Sequence, residues 1–136
     1  MNFVKYSFKP FPNLTNVPQV ILQSTAHTLY VDSITICNLS TNDIRINLIK
    51  KIIGSDSSVN QTFIAKNIVV ESPTSAKIEV RSTVNLVSLF GLTMFLPIFT
   101  ENAITYTTEL ICYSNGITQN FDCTVDYTTF VETPVI

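Results

Sequence analysis

Along most of the chain, apolar and polar residues alternate with a period of two, the repeat of a strand with one buried face. The stretch NDIRINLIKKI shows it: Ile44, Ile46 and Leu48 point one way, Asp43, Arg45 and Asn47 the other. HTLYVDSITIC before it has the same character, and NLSTND between them is a polar turn. Together they predict a hairpin of residues 28–38 and 43–53. Beyond the loop GSDSSVN, QTFIAKNIVVE and AKIEVRSTVNLVSLF are further short strands. SPTS at 72–75 separates them, and FTENAIT at 99–105 is the next loop.

Asn115-Gly116 is the strongest short hairpin signal in the chain. A two-residue loop there pairs Ser114 with Ile117 and sets Cys112 against Gln119, Leu110 against Phe121 and Thr108 against Cys123. Alternation along the second strand agrees, with Phe121, Cys123, Val125 and Tyr127 on one face. Leu110, Cys112, Phe121 and Cys123 are therefore expected on a core face. Cys112 and Cys123 are expected to be offset along their strands, which argues against a bridge between them. About seven to nine short strands follow from the whole pattern. The expected fold is all-β: a single antiparallel β-sandwich or jelly-roll-like domain, with a C-terminal hairpin around Asn115-Gly116 and an extended N-terminal segment. Pro10, Pro12 and Pro18 keep residues 1–17 extended, while Phe3, Tyr6, Phe8 and Phe11 alternate with basic and polar residues. That segment is an arm onto a neighbour or an edge strand of the protein's own sheet. Residues 18–136 form one domain.

One stretch breaks the alternation. LVSLFGLTMFLPIF, residues 86–99, carries no charge and is apolar on both faces. A transmembrane helix needs about 20 residues, and this run is shorter and contains Gly91 and Pro97, so no membrane span is expected. The start of the chain has no apolar stretch of the secretory kind.

Composition adds that only 13% of residues are charged while 46% are hydrophobic. A typical soluble domain is about 25% charged, so the surface is either rich in Thr, Ser and Asn or covered by partners. The net charge is −2, with no basic excess to neutralise phosphates, and nucleic acid is not an expected partner. All eight Lys and Arg lie in residues 1–81, which also hold five acids and so carry +3. Residues 82–136 hold the other five acids and carry −5, which accounts for the net −2.

Candidate chemistry is sparse. The single histidine, His27, reads as a strand-end or loop residue. No Ser or Cys sits in a nucleophile motif. Asp122 and Asp126 share a strand face at roughly 13 Å, too far apart for a catalytic carboxylate pair. An odd count of three cysteines, Cys37, Cys112 and Cys123, without a CxxC, supports neither a disulfide framework nor a zinc site. Tyr106, Tyr113 and Tyr127 are candidates for a sugar platform, as against ordinary core or rim aromatics. No catalytic, cofactor-binding or metal-binding residue is assigned, and no enzymatic activity or cofactor is expected.

The stretches YVDSITICNLSTNDIRINLI and ELICYSNGITQNFDCTVDYTTFVE resemble small virion proteins of tailed bacteriophages. The first carries Val31, Ser33, Ile34, Ile36, Cys37 and Asn38 before a polar turn and an alternating strand. The second ends in a long strand with Val125, Tyr127 and Glu132. The likeness covers residues 28–53 and 107–132. It implies a non-enzymatic, symmetric component of the particle: head decoration, neck or tail. The implied partners are other copies of the chain and other virion proteins. The implied location is the virion, and the host cytoplasm during assembly. On this reading the run 86–99 covers a second subunit through Leu86, Leu89, Phe90, Leu92, Met94, Phe95, Ile98 and Phe99. The competing reading is a carbohydrate-binding or adhesin-like β-sandwich module.

Overall fold

The computed structural model describes residues 2–72, 83–86, 94–116 and 120–132. Ten strands follow in order: β1 (Asn2–Leu14), β2 (Gln19–Ser24), β3 (Leu29–Asn38), β4 (Ile44–Gly54), β5 (Val59–Val70), β6 (Thr83–Asn85), β7 (Met94–Leu96), β8 (Phe99–Glu101), β9 (Ile104–Ser114) and β10 (Phe121–Glu132). They form two antiparallel sheets. The front sheet runs β1-β10-β3-β6, with β7 also on β3; the back sheet runs β2-β9-β4-β5, with β8 on β9. Leaving aside β7 and β8, this is the strand order of a jelly roll, two four-stranded sheets in Greek-key connection. Residues 2–14 pair along the chain's own β10, so the N-terminal segment is the edge strand of the front sheet.

The alternation places the core as the sequence requires. Ile44, Ile46 and Leu48 of β4 face Ile34, Ile36, Phe121, Cys123 and Val125 of the front sheet in one buried cluster, completed by Leu110 and Cys112 of β9. Each such side chain stabilises the fold by about 1.5–3 kcal/mol through removal from water.

The pairing differs from the expected one in two places. β3 and β4 do not form a hairpin: β3 belongs to the front sheet and β4 to the back. Likewise β9 lies in the back sheet and β10 in the front, so Asn115-Gly116 is not a hairpin turn. Alternation assigns a residue to the core or to the outside, but it holds equally for two strands side by side and for two strands facing each other across a core.

Both connections are corners, and polar side chains take over from the broken ladders. Asn38 is 1% exposed. Its Nδ2 donates to the carbonyls of Asn42 (2.9 Å) and Val70 (3.0 Å), and its Oδ1 accepts from Ser40 N–H and Ser40 Oγ (both 2.8 Å). Every hydrogen-bonding position of the amide is used. Nearby, Asp43 Oδ1 accepts the Ser72 N–H at 2.8 Å. At the other corner Asn115 N–H donates to the Arg45 carbonyl (2.8 Å) and Ser114 N–H to the Thr15 carbonyl (3.1 Å), while Gly116 takes φ +88. The corners meet where Leu39 N–H donates to the Asn120 carbonyl at 3.2 Å.

Because β9 and β10 face each other across the core, Cys112 and Cys123 are not offset as expected. Their thiols lie in the same buried cluster. Interaction with the Cys123 thiol, together with burial, pushes the Cys112 thiol well above its ordinary pKa. All three cysteines are free, with Cys37 half-buried.

The tight hairpins lie elsewhere. β8 and β9 pair Glu101 with Ile104 across Asn102-Ala103, both with positive φ (51° and 64°), the geometry of a type I′ turn. β4 and β5 are joined by residues 55–58, closed by Gly54 N–H to the Ser58 carbonyl at 2.9 Å. A Cβ on Gly54 would come within 2.4 Å of Ser58 Oγ and 2.5 Å of Asp56 Oδ1, so a larger residue there would have to displace both side chains.

Two outcomes test this account. Asn38→Ala leaves the buried carbonyl of Val70 unpaired and should lower unfolding free energy by about 1–3 kcal/mol in a urea titration; a loss below about 0.5 kcal/mol, the size of an ordinary surface change, would show the corner is held otherwise. In denaturant three thiols should titrate, and in the native protein Cys112 and Cys123 should be far slower to alkylate than Cys37. A titre of one would mean the facing pair is bridged.

Candidate interaction surface

The run 86–99 is not one surface. Leu86, 1% exposed, fills the chain's own core, as does the neighbouring Leu96; as a subunit-contact residue Leu86 is therefore corrected. Leu89, Phe90 and Leu92 lie outside the described residues. Met94 pairs with Val31 and Phe95 with Tyr30 as β7 joins the front sheet. Ile98 is half-buried, and Phe99, in the back sheet, stacks on Tyr106 with ring centroids 4.8 Å apart. Thr108 Oγ1 donates to the Pro97 carbonyl at 2.7 Å, holding the crossing between the two sheets. Only Phe95 and Phe99 of this group are exposed on the described surface.

Phe95 belongs to a larger aromatic face. β1 turns Tyr6 and Phe8 outward at 78% and 67% exposure. On β10, Thr128 lies beside Tyr6 and Asp126 beside Phe8; on β3, Tyr30 lies beside Thr128 and Ser33 beside Asp126. Tyr30 packs against Phe130 (4.6 Å between centroids) and Phe95 (5.9 Å). Lys50 of β4 reaches across the sandwich to this cluster. Its Nζ donates to the Phe95 carbonyl at 3.1 Å and lies 5.2 Å from the Phe95 ring centroid. Burial pushes its pKa below the ordinary value.

A register shift on β3 adds two acids to this face. Asp126 pairs with Ser33 and Tyr127 with Val31, so Asp32 is the extra residue of a bulge. Asp32 and Asp126 then line one cleft of about 340 Å³ with Tyr6, Ser7 and Phe8. Hydroxyl groups steady both carboxylates: Ser33 Oγ donates to Asp126 Oδ2 at 2.6 Å and Thr128 Oγ1 to Asp32 Oδ2 at 2.7 Å. Asp122, further along β10, accepts the Asn13 N–H at 2.9 Å. Lys5 and Lys9 occupy the alternate positions of β1 and stand exposed at the sheet edge. Lys9 lines a groove between the sheets with His27, whose carbonyl accepts from Ser24 Oγ at 2.7 Å.

The outside of the back sheet has the opposite character. Arg45, Ile49, Lys51 and Ile53 of β4 alternate with its core residues, and in register with them on β5 stand Val69, Phe63, Gln61 and Val59. Lys66 Nζ lies 5.0 Å from the Phe63 ring centroid. Glu109, beside Lys51, is the acid of this face on β9. Asn47 is buried here in a cluster of three amides. It donates to Asn115 Oδ1 at 2.5 Å and accepts the Asn67 N–H at 3.1 Å, and Asn115 Nδ2 also meets Asn67 Oδ1. Asn67 takes φ +56 in a bulge of β5 opposite Asn47.

The tyrosines considered as candidates for a sugar platform do not come together. Tyr127 packs against the core of the front sheet, Tyr106 stacks on Phe99, and Tyr113 lies beside Asn47 on the back sheet. Tyr6 and Phe8 were visible in the sequence as members of an alternating aromatic segment, but the side they face was not, since Phe11 of the same segment packs on the core; nor was the meeting of Asp32 with Asp126, because it depends on a bulge. Among the described residues no three His, Cys, Asp or Glu gather as a metal-holding group, and no helix is long and apolar enough to cross a membrane.

No family model, curated protein or solved structure matches this chain.

If Tyr6 and Phe8 contribute nothing to the fold of one chain, Tyr6→Ala and Phe8→Ala should each change unfolding free energy by less than about 0.5 kcal/mol, as ordinary surface substitutions do. A loss above about 2 kcal/mol, the scale of core truncations, would make them part of the core.

Proposed function

We propose that the chain is a non-enzymatic structural subunit of a virus particle, a head-decoration, neck or tail component of a tailed bacteriophage, working as a symmetric oligomer. The observation that carries the reading is the front-sheet face, where Tyr6, Phe8, Phe95 and Phe130 stand exposed on one side of a sheet whose other side is already the core. Contiguous exposed aromatics on a rigid sheet mark a surface that functions covered. The low charged fraction, 13%, supports the same reading. So does the jelly-roll order, which viral capsid domains share, although lectin domains share it too and a fold alone does not set a function. The particle assignment rests on the sequence resemblance in residues 28–53 and 107–132.

One observation favours the second reading. Exposed rings beside two carboxylates, as in the Tyr6–Phe8–Asp32–Asp126 cleft, also suit a glycan, with sugar faces stacked on the rings and hydroxyls donating to the acids.

Sedimentation velocity across a concentration series checks the assembly reading. A discrete higher-order species should grow at the expense of monomer. A protein that stays monomeric at every concentration and binds glycans on an array would overturn it.

A further inference from the structure

The two outer faces of the sandwich carry opposite charge, and the difference is between faces rather than between halves of the sequence. On the front, among the side chains described, Asp32, Asp122 and Asp126 are the charged ones at outward positions of β1, β3 and β10, while Lys5 and Lys9 take the alternate positions of β1 and stand exposed at the sheet edge. On the back, Arg45, Lys51 and Lys66 stand against Glu109. The apolar content differs as well: aromatic rings on the front, mostly aliphatic side chains on the back. Exposed rings flanking carboxylates form a site for a cation. The ring faces attract an ammonium or guanidinium group, and the acids complete its hydrogen bonds. Asp32 and Asp126 each spend one oxygen on a hydroxyl and keep lone pairs for such a partner. Lys50 already occupies the Phe95 end of this face; further cations stand on the other side of the same molecule.

We infer that the front face of one copy docks on the back face of the next, with Lys51 of β4 seated over Tyr6 and Phe8 beside Asp32 and Asp126. This rests on the self-assembly reading above and specifies which surfaces meet. The contact is heterologous, so repeating it closes a ring or extends a stack. The three long strands of the front face, about 4.8 Å apart and roughly ten residues long, offer roughly 475 Å² before side-chain relief is counted. That is on the order of the ~800 Å² each partner gives to a standard interface. Apolar contact supplies most of the affinity, and the charges set orientation and encounter rate.

The test is a charge swap in the full-length chain, read by native mass spectrometry and sedimentation at low and high salt. Asp126→Lys alone and Lys51→Glu alone should each raise the concentration needed for assembly at least tenfold, with circular dichroism and melting temperature unchanged. Every copy carries both faces, so the double variant Asp126→Lys with Lys51→Glu restores opposite charges at the contact. It should recover at least tenfold over either single change. Added salt should weaken the parent assembly and the double variant alike. Phe8→Ser, which leaves the charges alone, should also weaken assembly.

A double variant no better than the singles would overturn the pairing of faces while leaving self-assembly standing. So would a closed dimer indifferent to Lys51→Glu, since that would be front against front. A parent protein monomeric at all concentrations would remove both this inference and the assembly reading beneath it. Glycan binding that Tyr6→Ala abolishes in that monomer would give the cleft to a sugar instead.

Discussion

The passage of the chain from one sheet to the other after Asn38 is the constraint on which the rest of the sandwich depends. β3 and β4 are the inner strands on either side of it, one flanked by β10, β6 and β7, the other by β9 and β5. A chain that leaves a sheet abandons its ladder, and the freed backbone groups lie at the edge of an apolar core. An unpaired buried carbonyl costs about 1–3 kcal/mol. One asparagine amide meets this cost from both sides, donating to the end of β5 and accepting from the turn itself. The second corner uses backbone bonds to Arg45 and Thr15, so the two crossings are laced at one end of the molecule.

The sequence made the strands legible and left their partners open. Ile44, Ile46 and Leu48 face the core as their spacing demands, and so do Leu110, Cys112, Phe121 and Cys123. The same spacing carried no information on which sheet each strand joins. Asn115-Gly116 is a strong local turn signal, yet its asparagine side chain is taken by Asn47 and Asn67 on neighbouring strands. The tight two-residue turn falls at Asn102-Ala103, where alanine sits in a conformation that favours glycine, so the composition gave no warning.

The surface was partly legible for a similar reason. An alternating, extended aromatic segment is readable at Tyr6 and Phe8, but not whether it is an arm or an edge strand. A bulge is not readable either, and it is the bulge at Asp32 that brings a second carboxylate beside Asp126. The unbroken apolar run of residues 86–99 looked like one surface because periodicity fails where a chain changes sheets. Across Pro97 its described exposed rings go to different sheets, Phe95 with the front and Phe99 with the back.

The pairing of β1 with β10 joins Asn2 to Glu132. It brings together strands from the two ends of the described chain, the slowest kind of contact to form. During synthesis β1 emerges first, and its partner emerges after every other strand of the sandwich. Until β10 leaves the ribosome, β1 is an unpaired edge bearing aromatic side chains, and its hydrogen-bonding register is complementary to the β10 of any copy nearby. Closure of the front sheet is thus a competition between a strand's own chain and its neighbours on a crowded polysome. The fold is therefore exposed to strand exchange between copies before any copy is complete.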